Sequence, residues 1–158
     1  MISIIIPFTY DSIDRLENLL CILDYIKRYW NFDQVIVTEM DLSPKSNNLI
    51  PDWCEYVFAK EKENSIWSKS KRINIAIPLI RNEVTMILDT DLILDTNCIL
   101  QSTEKLLNKE FDAIVPYEKC YHFSRNTIIP IIKTHHLNIN DFCYNKNNSP
   151  SRIFDLTD

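Results

Sequence analysis

The stretch VTMILDTDLILDT, residues 84–96, decides how this chain is read. An apolar run, Val84 to Leu88, stops at Asp89; Thr90 then separates it from a second acid, Asp91, and apolar residues resume at once. A short continuous apolar run of this kind reads as a strand buried on both faces. An unpaired carboxylate beside such a strand is costly, so two of them ask for a partner. If the chain bends there, both carboxylates face one rim. A hard divalent cation, Mn²⁺ or Mg²⁺, then suits their oxygens. The competing reading is a strand end followed by a helix cap, since aspartate is common in turns.

The flanking sequence places that strand in an alternating pattern. ISIIIP (2–7) is a continuous β-branched run stopped by proline, the mark of another buried strand. Residues 12–30 repeat Leu16, Leu19, Leu20, Leu23 and Ile26 at helical spacing, with Asp11 or Ser12 available as a cap. DQVIVTE (33–39) and CEYVFAK (54–60) read as strands. SIWSKSKRINIAIPLI (65–80) reads as a helix starting near Ser65 or Ser68, with Pro78 working against its end. Residues 83–89 form the next strand, 96–110 the next helix, and DAIVPY (112–117) one more strand. Strands alternating with helices imply βαβ units. The expected fold is therefore α/β, a three-layer α/β/α arrangement around a mostly parallel sheet. Ligands bind such sheets beyond the carboxyl ends of the strands, which puts Pro7 to Tyr10, Glu39 and Asp89 to Asp91 on one rim. Residues 1–118 are read as this core, and the irregular text of 119–158 as a segment of the same domain that completes or covers the site.

Composition narrows the function. With 158 residues, 46% hydrophobic and 25% charged, the chain can bury a sizeable core. A formal net charge of −5 argues against nucleic-acid or membrane-surface partners, which usually require a basic face. No run approaches the ~20 apolar residues of a transmembrane segment, and the start has no basic leader of a signal peptide. The five cysteines include no C-x-x-C pair, which suits reduced thiols in a cytoplasmic protein. Glycine is absent altogether. The Walker loop, the dinucleotide-binding G-x-G-x-x-G turn and the G-x-S-x-G elbow all depend on glycine and are excluded. A bound phosphate would have to be held by a metal, by side chains or by a helix N-terminus without glycine.

Four stretches, in order over about the first 120 residues, resemble the nucleotide-sugar-binding half of a GT-A glycosyltransferase, of the family-2 and β-1,4-galactosyltransferase-like kind. SIIIPF resembles the family's opening strand and implies Pro7, Phe8 and Thr9 beside the base and ribose. VIVTE resembles its second strand and implies Glu39 near the uracil. IWSKSKRINIAI resembles the helix written F-x-R-A-x-x-x-N-x-G, with Lys69 on the arginine position and Asn74 on the asparagine. MILDTDLIL resembles the D-x-D segment. The resemblance implies a UDP-sugar donor, Mn²⁺ or Mg²⁺ held by Asp91 with Asp89, and Asp89 and Thr90 close to the ribose or donor sugar. It also implies transfer of the sugar to a saccharide, lipid-linked or protein acceptor. A metal would neutralise the diphosphate leaving group, and a general base would activate the acceptor hydroxyl.

The chain departs from that pattern in three places. Thr9 stands where many galactosyltransferase-like members carry arginine. Ala76 or Ile77 stands where glycine is usual. No W-G-x-E-D-like stretch follows the D-x-D, so Asp141 and Asp155 are the candidates for the base, and a partner chain or oligomer is a possible source of the acceptor site. His122, His135 and His136 are more naturally surface or packing residues than a third metal ligand. Lys69, Lys71 and Arg72 also read as a solvated helix face, and Trp67, which could stack on a base, reads more naturally as a core aromatic at a helix start. Two other function classes fit parts of the chain: a non-catalytic GT-A-like module for nucleotide-sugar or protein binding, and a haloacid-dehalogenase-like phosphatase. The latter class carries its ILDTD-like motif on the first strand, whereas here it falls on the fourth.

Overall fold

The computed structural model describes residues 1–63, 65–122 and 152–155. The chain falls into two compact units, Met1–Ile93 and Leu94–Asp158. The first contains β1 (Ile2–Phe8), α1 (Ile13–Tyr29), β2 (Gln34–Asp41), β3 (Glu55–Lys60), α2 (Lys69–Ala76) and β4 (Val84–Ile87). Its four strands form one all-parallel sheet in the order β3-β2-β1-β4. This is the α/β fold that the alternating pattern predicts.

The helices follow from local chemistry. Ser12 accepts the Arg15 N–H and caps α1, while Asp14 in the first turn and Lys27 and Arg28 in the last complement its dipole. Ser68, not Ser65, caps α2 by accepting the Lys71 N–H. The helix is therefore shorter than its apolar spacing suggests. It tightens into a 3-10 turn at Ile77–Leu79, where Pro78 cannot continue the α ladder.

Strand order fixes where the helices lie. The step from β1 to β2 and the step from β3 to β4 cross the sheet in opposite directions. Right-handed crossovers then put α1 and α2 on opposite faces. On the α2 face, Ile73 and Ala76 pack with Ile5, Ile36, Val57 and Ile80. Alternation turns Ile4, Ile6, Val35 and Val37 to the other face, where α1 supplies its buried stripe of Leu19, Ile22, Leu23 and Ile26. Each of these fully buried aliphatic side chains contributes roughly 1.5–3 kcal/mol of burial.

Order also fixes where a ligand can enter. β2 and β3 add outward on one side of β1, and β4 lies on the other, so the strand order reverses between β1 and β4. A crevice opens at the carboxyl ends at such a reversal. Pro7 fits this geometry. Leu88 N–H donates to the Ile5 carbonyl at 2.9 Å, so Ile5 and, two residues on, Pro7 turn their backbone groups toward β4. Pairing with β4 ends at Ile5↔Ile87, and the missing proline N–H breaks no ladder bond.

The second unit contains α3 (Thr96–Leu107) and an antiparallel pair, β5 (Lys119–His122) with β6 (Arg152–Asp155). The strand expected at 112–117 does not form. Pro116 lacks a ladder donor, and Val115 is 65% exposed. Asp95 caps α3 by accepting the Asn97 and Cys98 N–H groups. The helix closes with the Lys109 N–H on the Leu106 carbonyl and the Glu110 N–H on the Lys105 carbonyl, both at 3.0 Å. That closure needs a left-handed residue, and Lys109 takes it at φ 59°. Lys109→Gly is expected to stabilise the chain by about 1 kcal/mol, read as a higher urea midpoint; an unchanged or lower midpoint would show that the turn carries no strain. No helix among the described residues is long and apolar enough to cross a membrane.

Candidate functional site

β4 ends at Ile87, Leu88 stays fully buried, and the chain turns at once: Leu92 N–H donates to the Asp89 carbonyl at 3.3 Å. This turn exposes both carboxylates, with Thr90 half-buried between them. Asp89 shares the α2 side of the sheet with Ile87 by alternation, and Lys69, the first residue of α2, meets it there at 2.5 Å. The pair is largely exposed, so it adds little to stability. Its consequence is local: an ammonium stands beside the first acid. Asp91 makes no hydrogen bond or ion pair among the described residues.

A second feature lies at the same carboxyl ends. An open cleft of about 230 Å³ is lined by Thr9, Asp41, Glu61, Trp67 and Arg72, among others. It is smaller than the roughly 300–1,000 Å³ that encloses a whole drug-sized ligand, so a ligand of that size would be only partly enclosed there. Arg72 is 1% exposed and Trp67 48% exposed, the reverse of the expected solvated arginine and core tryptophan. Helical geometry explains the arginine. Lys69, Arg72, Ile73 and Ala76 fall at i, i+3, i+4 and i+7, on the stripe that faces the sheet. Trp67 lies before the Ser68 cap, outside the helix, where its ring forms a cleft wall and its Nε1–H donates to Thr9 Oγ1 at 3.1 Å.

Asp41 also lines the cleft. Partial burial works to raise its pKa, but the hydrogen bonds from Lys45 and the Leu42 N–H, with the Lys45 and Arg72 charges, hold it below the usual carboxylate value. Arg72 meets Glu61 at 3.3 Å, and Lys45 meets Asp41 at 2.6 Å. Two ion pairs thus stand on the cleft wall beside the apolar Met40, Leu42 and Trp67.

Glu39 sits elsewhere than a rim residue would. Alternation turns it to the α1 face with Val35 and Val37, and it is fully buried. Its carboxylate accepts the Tyr56 and Ser46 hydroxyls, both at 2.5 Å, and the Ser46 and Lys45 N–H groups at 3.1 and 3.3 Å. It fastens the connection between β2 and β3. Burial first, then the hydrogen bond and charge of Glu39, push the Tyr56 phenol well above its ordinary value of 10.0. Burial likewise lifts Cys54 from 9.0 to about 12. Both groups hold their protons more tightly folded than unfolded. Their contribution to stability is complete below about pH 9 and is lost as pH rises through 9–12 for Cys54 and upward from 10 for Tyr56. Urea unfolding should therefore weaken steadily in alkali, and Tyr56→Phe should flatten the part above pH 10. An identical slope in the variant would remove Tyr56 as its source.

The remaining predicted residues divide clearly. Pro7 and Phe8 are buried in β1, and the Phe8 carbonyl accepts Arg72 Nε at 3.2 Å. Thr9 is half-buried at the strand end, and Asn74 is exposed on α2 away from these contacts. Asp155 lies on β6, and Asp141, His135 and His136 lie outside the described residues. The structure thus joins Lys69 to Asp89 and Thr9 to Trp67 and Arg72. No family model matches the chain, and a search of curated proteins finds no match.

Two exposed carboxylates are too few to enclose an ion by themselves, and no group of three or more His, Cys, Asp or Glu that could hold one occurs among the described residues. They do suit Mg²⁺ or Mn²⁺, which is commonly held by one or two carboxylates together with substrate phosphates.

Proposed function

We propose that this chain binds a UDP-sugar and transfers its sugar to an acceptor hydroxyl, acting as a metal-dependent glycosyltransferase with a GT-A-like donor site. The observation that carries this reading is the exposed Asp89-Thr90-Asp91 turn at the carboxyl end of β4, where the strand order reverses, with Lys69 against Asp89. Asp91 would hold Mn²⁺ or Mg²⁺ directly, and Asp89 would share it or contact the ribose or donor sugar. The ion, when bound, neutralises the diphosphate leaving group. Lys69 adds a cation beside the same phosphates. The nucleoside takes the cleft beneath Trp67, whose exposed ring offers a stacking surface. The five cysteines are odd in number and include no C-x-x-C pair, the pattern of reduced thiols, and we place the protein in the cytoplasm on that basis. Asp141 and Asp155 remain the candidates for general base.

A non-catalytic donor-binding module is the second reading, favoured by the absence of a W-G-x-E-D-like stretch after Asp91. Calorimetric titration of UDP with Mn²⁺, repeated with EDTA, tests what both share. Metal-dependent binding is the expected result. Hydrolysis or transfer from UDP-sugars then separates enzyme from module. Absence of UDP binding in both conditions removes both readings.

A further inference from the structure

Two charged side chains are fully buried among the described residues, Glu39 and Arg72. Taking a guanidinium out of water costs several kcal/mol unless its donors are met. Arg72 meets them across three separate segments. Its Nε donates to the Phe8 carbonyl at 3.2 Å and to Thr9 Oγ1 at 2.9 Å, at the end of β1. Its Nη2 donates to the Met40 carbonyl at 2.9 Å in β2 and to Glu61 at 3.3 Å after β3, and its Nη1 to the Ser68 carbonyl at 3.0 Å. The Trp67 ring lies over the guanidinium, 5.2 Å from centroid to carbon. Thr9 Oγ1 accepts from both Arg72 and Trp67 while giving its own proton to the Phe8 carbonyl at 3.0 Å.

Anchoring α2 to the sheet does not need this group, because Ile73 and Ala76 already pack on Ile5 and Ile36. An apolar side chain at position 72 would bury area without the desolvation cost. What an apolar side chain lacks is directed donors. The segments that Arg72 ties are the ones that wall the cleft.

We propose that Arg72 is a positioning residue that holds the ends of β1 and β2 and the β3–α2 connection at a fixed spacing, so that the cleft is preformed for the nucleoside. The proposal rests on the reading of that cleft as part of a nucleotide site. It separates two affinities: Arg72 sets that for the nucleotide and leaves cation binding at Asp91 alone.

The test uses the full chain and three variants: Arg72→Lys, which keeps the charge but loses the fork; Thr9→Val, which removes the shared acceptor; and Thr9→Ser, which restores it. UDP affinity in saturating Mn²⁺ is measured by calorimetry well below each variant's thermal midpoint, where a purely stabilising role would leave it unmoved. Mn²⁺ affinity without nucleotide is measured separately from the free-ion electron paramagnetic resonance signal. Arg72→Lys and Thr9→Val should each weaken UDP by about tenfold or more. Thr9→Ser should recover most of what Thr9→Val loses, and Mn²⁺ affinity should stay within about twofold throughout. Parental UDP affinity in both Arg72→Lys and Thr9→Val would overturn the proposal alone. Loss of Mn²⁺ affinity in step with UDP would also overturn it, since Arg72 would then act on the whole rim. No UDP binding by the parent would overturn it together with the nucleotide reading. Should Arg72→Lys fail to fold, the valine and serine pair decides.

Discussion

Asp91→Asn is expected to abolish Mn²⁺-dependent UDP binding while leaving the fold and its stability in place. Asp91 is exposed at the third position of the Asp89–Leu92 turn and makes no contact among the described residues that the fold would miss. Asparagine suits the same turn position, so the change in stability should stay within about 0.5 kcal/mol, as for most surface substitutions. The change at the ion is large. Loss of a group that merely orients a metal ligand typically costs about 10–100-fold, and loss of the charged ligand itself should exceed that. Asp89→Asn should cost less, because it also releases Lys69 from its ion pair, leaving that ammonium free to meet the phosphates of the proposed donor. The discriminating measurement is UDP titration of both variants with Mn²⁺ and with EDTA, alongside thermal unfolding. An Asp91→Asn protein that keeps parental, EDTA-sensitive UDP affinity would sink the metal assignment.

The fold was legible because its strands are apolar runs bounded by polar text. The runs at 2–7, 33–39, 54–60 and 83–89 became β1 to β4 with ends shifted by a few residues. Where the reading failed, a local competitor decided. Of the two caps the reading offered for α2 the later one, Ser68, was taken, which shortened the helix, and Pro116 helped deny 112–117 a ladder. The site was legible in one dimension only. Two acids after an apolar run stand out in any reading of the sequence, and Asp89 and Asp91 do lie in an exposed turn just beyond the carboxyl end of β4. Arg72 does not stand out, because SKSKR reads as a polar patch until it is wound into a helix, where Arg72 falls on the same stripe as Ile73 and Ala76. Glu39 shows the same limit from the other side. Its place at the end of β2 follows from sequence, but the face it points to depends on strand parity and on which side each helix crosses. Those are properties of topology, and topology was set only once β4 took its place beside β1.

Glu39→Ala is expected to destabilise the chain by about 3–5 kcal/mol, as several buried donors lose their acceptor at once, which is a large share of a typical domain's 5–15 kcal/mol. The carboxylate collects four donors: two hydroxyls, from Tyr56 and Ser46, and two backbone N–H groups, from Ser46 and Lys45. Ser46 is itself fully buried, so water does not readily replace what is lost. Each buried donor left without a partner costs about 1–3 kcal/mol, and relief from burying the Glu39 charge offsets only part of that sum. Tyr56→Phe removes one donor together with its need, and should cost about 1 kcal/mol. Glu39→Gln separates the two roles open to this residue. The amide keeps the size but turns an N–H₂ toward groups that are themselves donors, so a structural role predicts a loss of about 2 kcal/mol or more. A direct contact to uracil predicts instead a loss of UDP affinity with little change in the urea midpoint. Three bonds to the β2–β3 connection and one to Tyr56 in β3 favour the first outcome. A glutamine variant of parental stability and weakened UDP binding would return Glu39 to the ligand.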